Sequence, residues 1–309
     1  MHDNAPTEIG VAILSFNRPE FLREAVISVL RQTQKPAFIR VYDNGSKPAV
    51  RQSIEDLLDS VEWVGSDLAY GVIWNFERAV RACDSHYVVL LHDDDRLCPE
   101  FLQVQSQLLL KNPDVHVLSC NGHIIDEAGS RSGMLLLPQE GTGDIRCSDS
   151  IDVSLVYVGS RCVPFSPAIY KTQSLKRVPL RPEYSKVMDA VLFCDLANGG
   201  AVVVNMAPLY ECRVHPQQDS HSFDPAARRR LDAFFWDRSA SSEARRRLLR
   251  REIAANGARR VVGDMLSAAR DGRIIAMIII PFRGWSGMYS IFSGMQYLCS
   301  RVLRSIYNK

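Results

Sequence analysis

The chain has 309 residues, 46% of them hydrophobic and 23% charged, the profile of a soluble globular protein with a large core and one or two domains. Its eight cysteines are scattered and form no Cys-x-x-Cys pair, which excludes a structural zinc site and points to a reducing cytosol. The charge is uneven: from Arg228 to Lys309 there are 17 Lys/Arg and 6 Asp/Glu, so a basic end follows a body of net charge −9.

The start is polar through Glu8 and lacks the basic and apolar regions of a signal peptide. Residues 9–14 read as a strand ending at Ser15-Phe-Asn-Arg-Pro-Glu20, a turn that opens a helix. Pro19 suits a first helical position, Glu20 and Glu24 favour the positive end of the dipole, and Phe21, Leu22, Ala25, Val26, Val29 and Leu30 make one apolar face. Residues 38–42 form a second strand running into Asp43-Asn-Gly-Ser46, which is turn chemistry. Beside the plain turn stands the reading that Asp43 bonds a ribose or base edge, as the acidic residue of other nucleotide-binding sheets does. A helix over 49–59, a strand over 61–64 and a helix over 74–83 follow. Asn75 and Arg78 lie one turn apart on the last of these, either as a surface pair or as a ligand contact.

Tyr87-Val-Val-Leu-Leu91 then runs directly into His92-Asp-Asp-Asp95. A short unbroken apolar run with β-branched residues marks a buried parallel strand. Such sheets bind ligands at the carboxyl ends of their strands. Three adjacent carboxylates repel one another. A divalent cation, which takes oxygens from one or two carboxylates and from substrate phosphates, gives the fold a reason to keep Asp93, Asp94 and Asp95 together. A solvated acidic turn is the plainer alternative. Pro99 opens a helix to about Lys111, and 114–120 is a strand; the alternation predicts a doubly wound α/β domain.

The middle, 121–170, is punctuated by Gly129, Gly133, Gly141 and Gly143 and predicts antiparallel strands and loops. Arg161 and Tyr170 there are read as surface residues, with a substrate contact as the alternative. A short helix starts near Thr172. Residues 183–198 predict a longer helix closed by Asn198-Gly-Gly200, with Asp189 on the side away from Val187 and Val191. Strands over 201–204 and 209–215 follow. Arg213 and His215, two apart, point to one face of the second, either as a structural pair or as a cation and an imidazole that hold a diphosphate.

Beyond Arg228 the arginine runs fall on helices. The apolar run 274–280 stops at Pro281, short of the roughly 20 residues that a bilayer requires. Trp285, Met288, Ile291, Phe292, Met295, Leu298, Val302, Leu303 and Ile306 keep helical spacing among Arg301, Arg304 and Lys309. That stripe fits a helix lying in a membrane interface, or a partner helix or second copy of the chain. No aromatic-basic motif supports nucleic-acid binding.

This order of motifs, strand-Ser-Phe-Asn-Arg-Pro, strand-Asp-Asn-Gly-Ser, strand-Asp-Asp-Asp, helix-Asp189 and Tyr210-Glu-Cys-Arg-Val-His215, resembles that of family 2 glycosyltransferases with the GT-A fold, over residues 9–220. The resemblance implies a Rossmann-like, mostly parallel α/β sheet with helices on both faces over 1–222, then a basic helical region over 223–309. It implies an inverting, Mn²⁺- or Mg²⁺-dependent transfer of a sugar from a nucleotide-sugar donor, UDP-linked, to a hydroxyl of a glycan or lipid-linked glycan in surface polysaccharide synthesis. With the tail, it places the enzyme in the cytoplasm on the inner face of the membrane. By the same resemblance, Ser15, Phe16 and Asn17 border the base, Asp43 contacts the nucleoside, and Asn75 and Asp93 belong to the donor site. Asp94 is the metal ligand, with Asp95 as second candidate, and His92 stands where many members carry the first aspartate of the Asp-x-Asp region. Asp189 is the base, preceded by Met188 where the family carries Glu. Arg213 and His215 match the late Arg-x-His segment near the diphosphate, His215 being counted with the metal. A nucleotidyltransferase would carry a Gly-rich basic first loop, which Ser15-Phe-Asn-Arg-Pro19 is not. A non-catalytic nucleotide- or glycan-binding relative is the other alternative.

Overall fold

Strands without a polar face become inner strands of a sheet covered on both sides. In the computed structural model, which describes residues 8–138, 143–159, 161–216, 218, 225–238 and 243–270, β1 (Ile9–Ser15) is buried at every position. α1 (Pro19–Leu30) begins on Pro19 and lays Leu22, Ala25, Val26 and Val29 into the core. β2 (Ile39–Asp43) runs parallel to β1 and brings Asp43 opposite Ser15. The helix expected over 49–59 breaks early: α2 (Pro48–Gln52) gives way to a 3-10 turn, Glu55–Leu57. There the Ser53 hydroxyl donates to the Val50 carbonyl at 2.8 Å, and Ile54 leaves helical φ to bury its side chain. β3 (Glu62–Val64) and α3 (Val72–Ala82) lead to β4 (Tyr87–His92), which lies parallel to β1 with His92 opposite Leu14.

The short β5 (Arg96–Leu97) follows the aspartates, then α4 (Phe101–Lys111), β6 (Val115–Ile125), β7 (Arg131–Leu135) and β8 (Ile145–Cys147). α5 (Ser150–Val158) stands where strands and loops were expected; burial of Ile151, Val153 and Val158 overrides the strand propensity of its β-branched residues. β9 (Ile169–Lys171) and α6 (Thr172–Arg177) come next. Tyr170, expected at the surface, is fully buried and stacked on Phe193 with ring centroids 6.2 Å apart. The helix expected over 183–198 is two pieces: a 3-10 segment, Pro182–Val187, kinked within itself at Ser185, whose φ of 49° no helix accepts, and α7 (Met188–Leu196). The two strands expected over 201–215 are one, β10 (Ala201–Arg213). Pro208, which has no N–H to give, is absorbed by register shifts on either side of it. His215 lies past the strand's end, so the shared-face argument for Arg213 and His215 does not hold.

The sheet order is β3-β2-β1-β4-β9-β6-β10-β5, with β7 on β6 and β8 on β10. Its first four strands are parallel, and β9 joins β4 to β6 antiparallel to both. Burying each Val, Leu or Ile of β1 and β4 stabilises the fold by about 1.5–3 kcal/mol, so these strands are rigid ground for whatever stands at their carboxyl ends.

Contacts divide the chain into two units, Met1–Ser150 with Cys162–Phe223, and Ile151–Arg161 with Asp224–Lys309. The first holds the sheet. In the second, α8 (Pro225–Asp237) and α9 (Glu243–Arg270) carry the arginine runs. There Arg245 pairs with Asp152 at 2.5 Å, and Tyr157 faces Phe235 with ring centroids 6.5 Å apart. Among the described residues no helix is long and apolar enough to cross a membrane. The apolar stripe from 274 to 309 lies outside the described residues.

Candidate active site

The carboxyl ends of β1 and β4 open into a cleft of about 760 Å³. It is lined by Ser15, Phe16, Asn17 and Arg18, by His92 and the three aspartates, and by Pro164–Ser166 with Asp189. β1 and β4 are neighbours, so the turns that follow them must meet. The Phe16 N–H donates to Asp93 Oδ2 at 2.8 Å and Arg18 Nη1 to Asp93 Oδ1 at 2.9 Å. This leaves the Phe16 ring 44% exposed at the cleft wall, an open aromatic face beside the acidic turn. Asn17 is held left-handed at φ 56°, a conformation that Asn tolerates better than most residues. Its Oδ1 accepts the Lys47 N–H and its own N–H donates to Ser46 Oγ, which ties the first turn to the second.

The second turn follows β2. Gly45 has φ +72°, and a Cβ there would fall 2.4 Å from the Leu68 carbonyl carbon, so only glycine fits beneath the loop leading to α3. That approach lets Asn44 Oδ1 accept the Tyr70 N–H at 3.0 Å. Asp43 is buried; its Oδ2 accepts the Ser46 N–H, and its Oδ1 has no partner in the structure. Asn75 lines the cleft, but its side chain is committed to the frame: Nδ2 donates to the Tyr42 carbonyl and Oδ1 accepts from Arg78.

The three aspartates have three different surroundings. Burial pushes the Asp93 carboxyl up to about 6, against the pull of Arg18. Burial and the adjacent Asp94 push Asp95 up to about 7; Ser166 and the Arg213 N–H, the latter at 3.0 Å, bond its carboxylate. Asp94 is buried too, but His92, Arg18 and His215 together hold it below the ordinary carboxylate value. Its Oδ2 lies 3.2 Å from Arg18 Nη1 and 3.1 Å from His215 Nε2. A ligand atom each from His92, Asp94 and Asp95 lie within 4.8 Å of one another. Two carboxylates and an imidazole at that spacing fit a divalent cation.

Arg213 serves a different purpose from the one expected. It does not line the cleft, and its guanidinium is fully buried. Nε donates to the Asp94 carbonyl and Nη1 to the Glu127 carbonyl, both at 2.9 Å; Nη2 meets the Glu24 carboxylate, and the guanidinium lies 4.5 Å from the Phe21 ring centroid. Arg213 thus anchors the backbone of the aspartate turn, and a diphosphate contact from it is not met by this geometry. Arg213→Met should lower the unfolding free energy by about 1–3 kcal/mol for each buried carbonyl left without its donor, read from urea denaturation.

Asp189 sits in the first turn of α7, where the helix dipole favours a carboxylate. Cys162 registers it: burial first, then the Asp189 charge, push that thiol up to about 11. Sequence reasoning passed over Arg18, Ser166 and Gln218, which also face the cleft or its carboxylates; only the place of Arg18 directly after Ser-Phe-Asn offered a local signal.

The titration of the turn has a sign that stability measurements can read. The raised values of Asp93 and Asp95 mean that the folded chain keeps protons that the unfolded chain releases from about pH 4 upward. Their contribution is therefore fully present below the unfolded value and is lost as pH rises through 6 and 7. Asp94 acts oppositely, but its window lies below the ordinary carboxylate value. In chelator-treated protein the urea midpoint should fall between pH 5 and pH 7.5, and Asp95→Asn should flatten that slope.

Residues 10–171 match the family model described as Glycosyl transferase family 2. An uncharacterized glycosyltransferase of Methanocaldococcus jannaschii, MJ1057, is 26% identical over 127 residues, 40% of this chain and 44% of that relative, so the match spans less than half of the relative's length. Crystal structures of S. aureus TarS share the fold. TarS 1-349 in complex with UDP-GlcNAc superposes with a TM-score of 0.63 at 12% identity, covering 88% of this chain and 90% of that one. A longer TarS chain gives 0.60 at 15% identity, covering 82% of this chain and 43% of that one.

Proposed function

The chain belongs to glycosyl transferase family 2, and from that premise we propose that it is an inverting glycosyltransferase that takes a sugar from a UDP-linked donor and passes it to a hydroxyl of a glycan or lipid-linked glycan. The observation that carries the reading is one cleft that gathers an exposed aromatic face, a buried acidic turn with ligand spacing, and a carboxylate at a helix start. The base stacks on Phe16, and Asp43, buried behind the lining residue Asn44 with its Oδ1 unpartnered, would supply an acceptor for a nucleoside N–H or O–H. Neighbouring structures solved with UDP and UDP-GlcNAc favour uridine.

Asp94 and Asp95 would hold Mn²⁺ or Mg²⁺, with His215 bonded to Asp94; the ion supplies Lewis-acid stabilisation of the charge on the departing diphosphate. Asp189 takes the proton of the acceptor hydroxyl as that oxygen attacks the anomeric carbon. One displacement with the base on the acceptor side inverts the centre. Two carboxylates flanking a glycosidic bond would suggest hydrolysis instead, but a buried triple aspartate with cation-ligand spacing has no role in that scheme. The domain over 1–222 does this chemistry, and the basic region over 223–309 brings it to an anionic membrane surface on the cytoplasmic side.

The test is a screen of nucleotide sugars by thermal shift with Mn²⁺ present. A ligand at about 100 times its Kd adds about 2.7 kcal/mol to the folded state, a shift of several degrees. UDP-sugars should raise the melting temperature and purine-nucleotide sugars should not. A donor response confined to the latter would sink the uridine assignment.

A further inference from the structure

We infer that His92 is itself a ligand of the divalent ion, so that the site is nitrogen-bearing and selects transition metals over Mg²⁺. The inference rests on the metal-assisted reading above and assigns to this chain a donor that the sequence resemblance left as a departure.

The geometry comes from the division of labour among the aspartates. Asp93 has both oxygens occupied within the protein, one by the Phe16 N–H and one by Arg18. It is buried and neighbours the cluster without joining it. The side chains that share ligand spacing are Asp94, Asp95 and the imidazole of His92, whose ligand atoms lie within 4.8 Å of one another. His215 Nε2 lies 3.1 Å from Asp94 Oδ2, and His215 is not one of the three residues of that group.

His92 is held in place by its neighbours. Its backbone N–H donates to Ser166 Oγ at 3.1 Å, and its ring centroid lies 5.5 Å from that of Phe165, tilted by 37°. Ser166 also bonds the Asp95 carboxylate, so one hydroxyl spans two members of the triad. The bland alternative is a half-buried ring packed on Phe165, which would need no carboxylates at coordination spacing.

An imidazole and two carboxylates form an N,O,O set. Imidazole suits Co²⁺, Ni²⁺ and Zn²⁺, and carboxylate suits Mg²⁺ and Mn²⁺, so Mg²⁺, which favours oxygen ligands in near-ideal octahedra, gains least from this set. The order of affinity is therefore Co²⁺, then Mn²⁺, then Mg²⁺.

The test uses the whole chain with metal alone. Pulsed electron paramagnetic resonance of bound Mn²⁺ should show coupling to a histidine ¹⁴N in unlabelled wild type, replaced by the ¹⁵N pattern when the histidines are labelled. This arm needs no variant to fold. The coupling should persist in His215→Gln and vanish in His92→Gln. Calorimetry should show that His92→Gln weakens Co²⁺ binding by about 10-fold or more, at least the scale on which metal sites respond to lost support, and that His92→Asp narrows the preference for Co²⁺ over Mg²⁺. Bound Mn²⁺ without nitrogen coupling, or coupling that follows His215 instead, overturns the role of His92 and leaves the metal-assisted reading intact. If no divalent ion binds and transfer proceeds in chelator, both fall together.

Discussion

Asp189→Asn should bind a UDP-sugar as the wild type does and transfer it about 10²–10⁴-fold more slowly, the range expected for loss of a positioned general base. The side chain keeps its size and one acceptor oxygen, so the start of α7 is preserved. What disappears is the capacity to take a proton. Asp189 lines the cleft, and its charge adds to the burial that pushes up the Cys162 thiol. Loss of its base should appear in kcat, with KM for the donor nearly unchanged, because the proposed donor contacts come from the turns after β1 and β2 and not from Asp189. Full transfer by Asp189→Asn would mean that another group takes the proton.

Asp94→Asn should be the other severe variant. Asp94 is the aspartate that its neighbours keep ionised, drawn on by His92, Arg18 and His215 at once. It is also a member of the only group of three or more cation-ligating side chains found among the described residues. The amide removes the charge and leaves Arg18 and His215 facing a weaker partner. A Lewis-acid contribution of several kcal/mol corresponds to a rate loss of about 10²–10⁴-fold at 1.36 kcal/mol per decade. The thermal shift produced by Mn²⁺ should vanish with it. A variant that turns over normally at saturating Mn²⁺ would show that the acidic turn is structural. Measured together, the pair separate two failures: Asp94→Asn loses donor and metal response, whereas Asp189→Asn keeps both.

Much of this was legible in the chain because it is written in short-range patterns. The apolar run of β4 ending on three aspartates, the Pro19 helix start and the Asp43-Asn-Gly-Ser turn each depend on residues within a few positions of one another. Their shared position at one rim follows from the parallel register of β2, β1 and β4. The boundary errors also have local causes: the helix over 49–59 failed at Ser53 and Ile54, and the strands over 201–215 fused because a bulge absorbs Pro208.

The sequence by itself therefore determined the fold class, the place of the acidic turn and the presence of Asp189, since hydrophobic period and turn chemistry act locally. Only the tertiary structure decided how the charged groups divide their work. Arg18 meets Asp93 across 75 residues, Arg213 meets the turn across nearly 120, and His215 reaches Asp94 across 121. No periodicity encodes such pairings. They exist because β1 pairs with β4 and because β5, just past the aspartates, pairs with the end of β10, where a buried guanidinium must satisfy the N–H groups it carries.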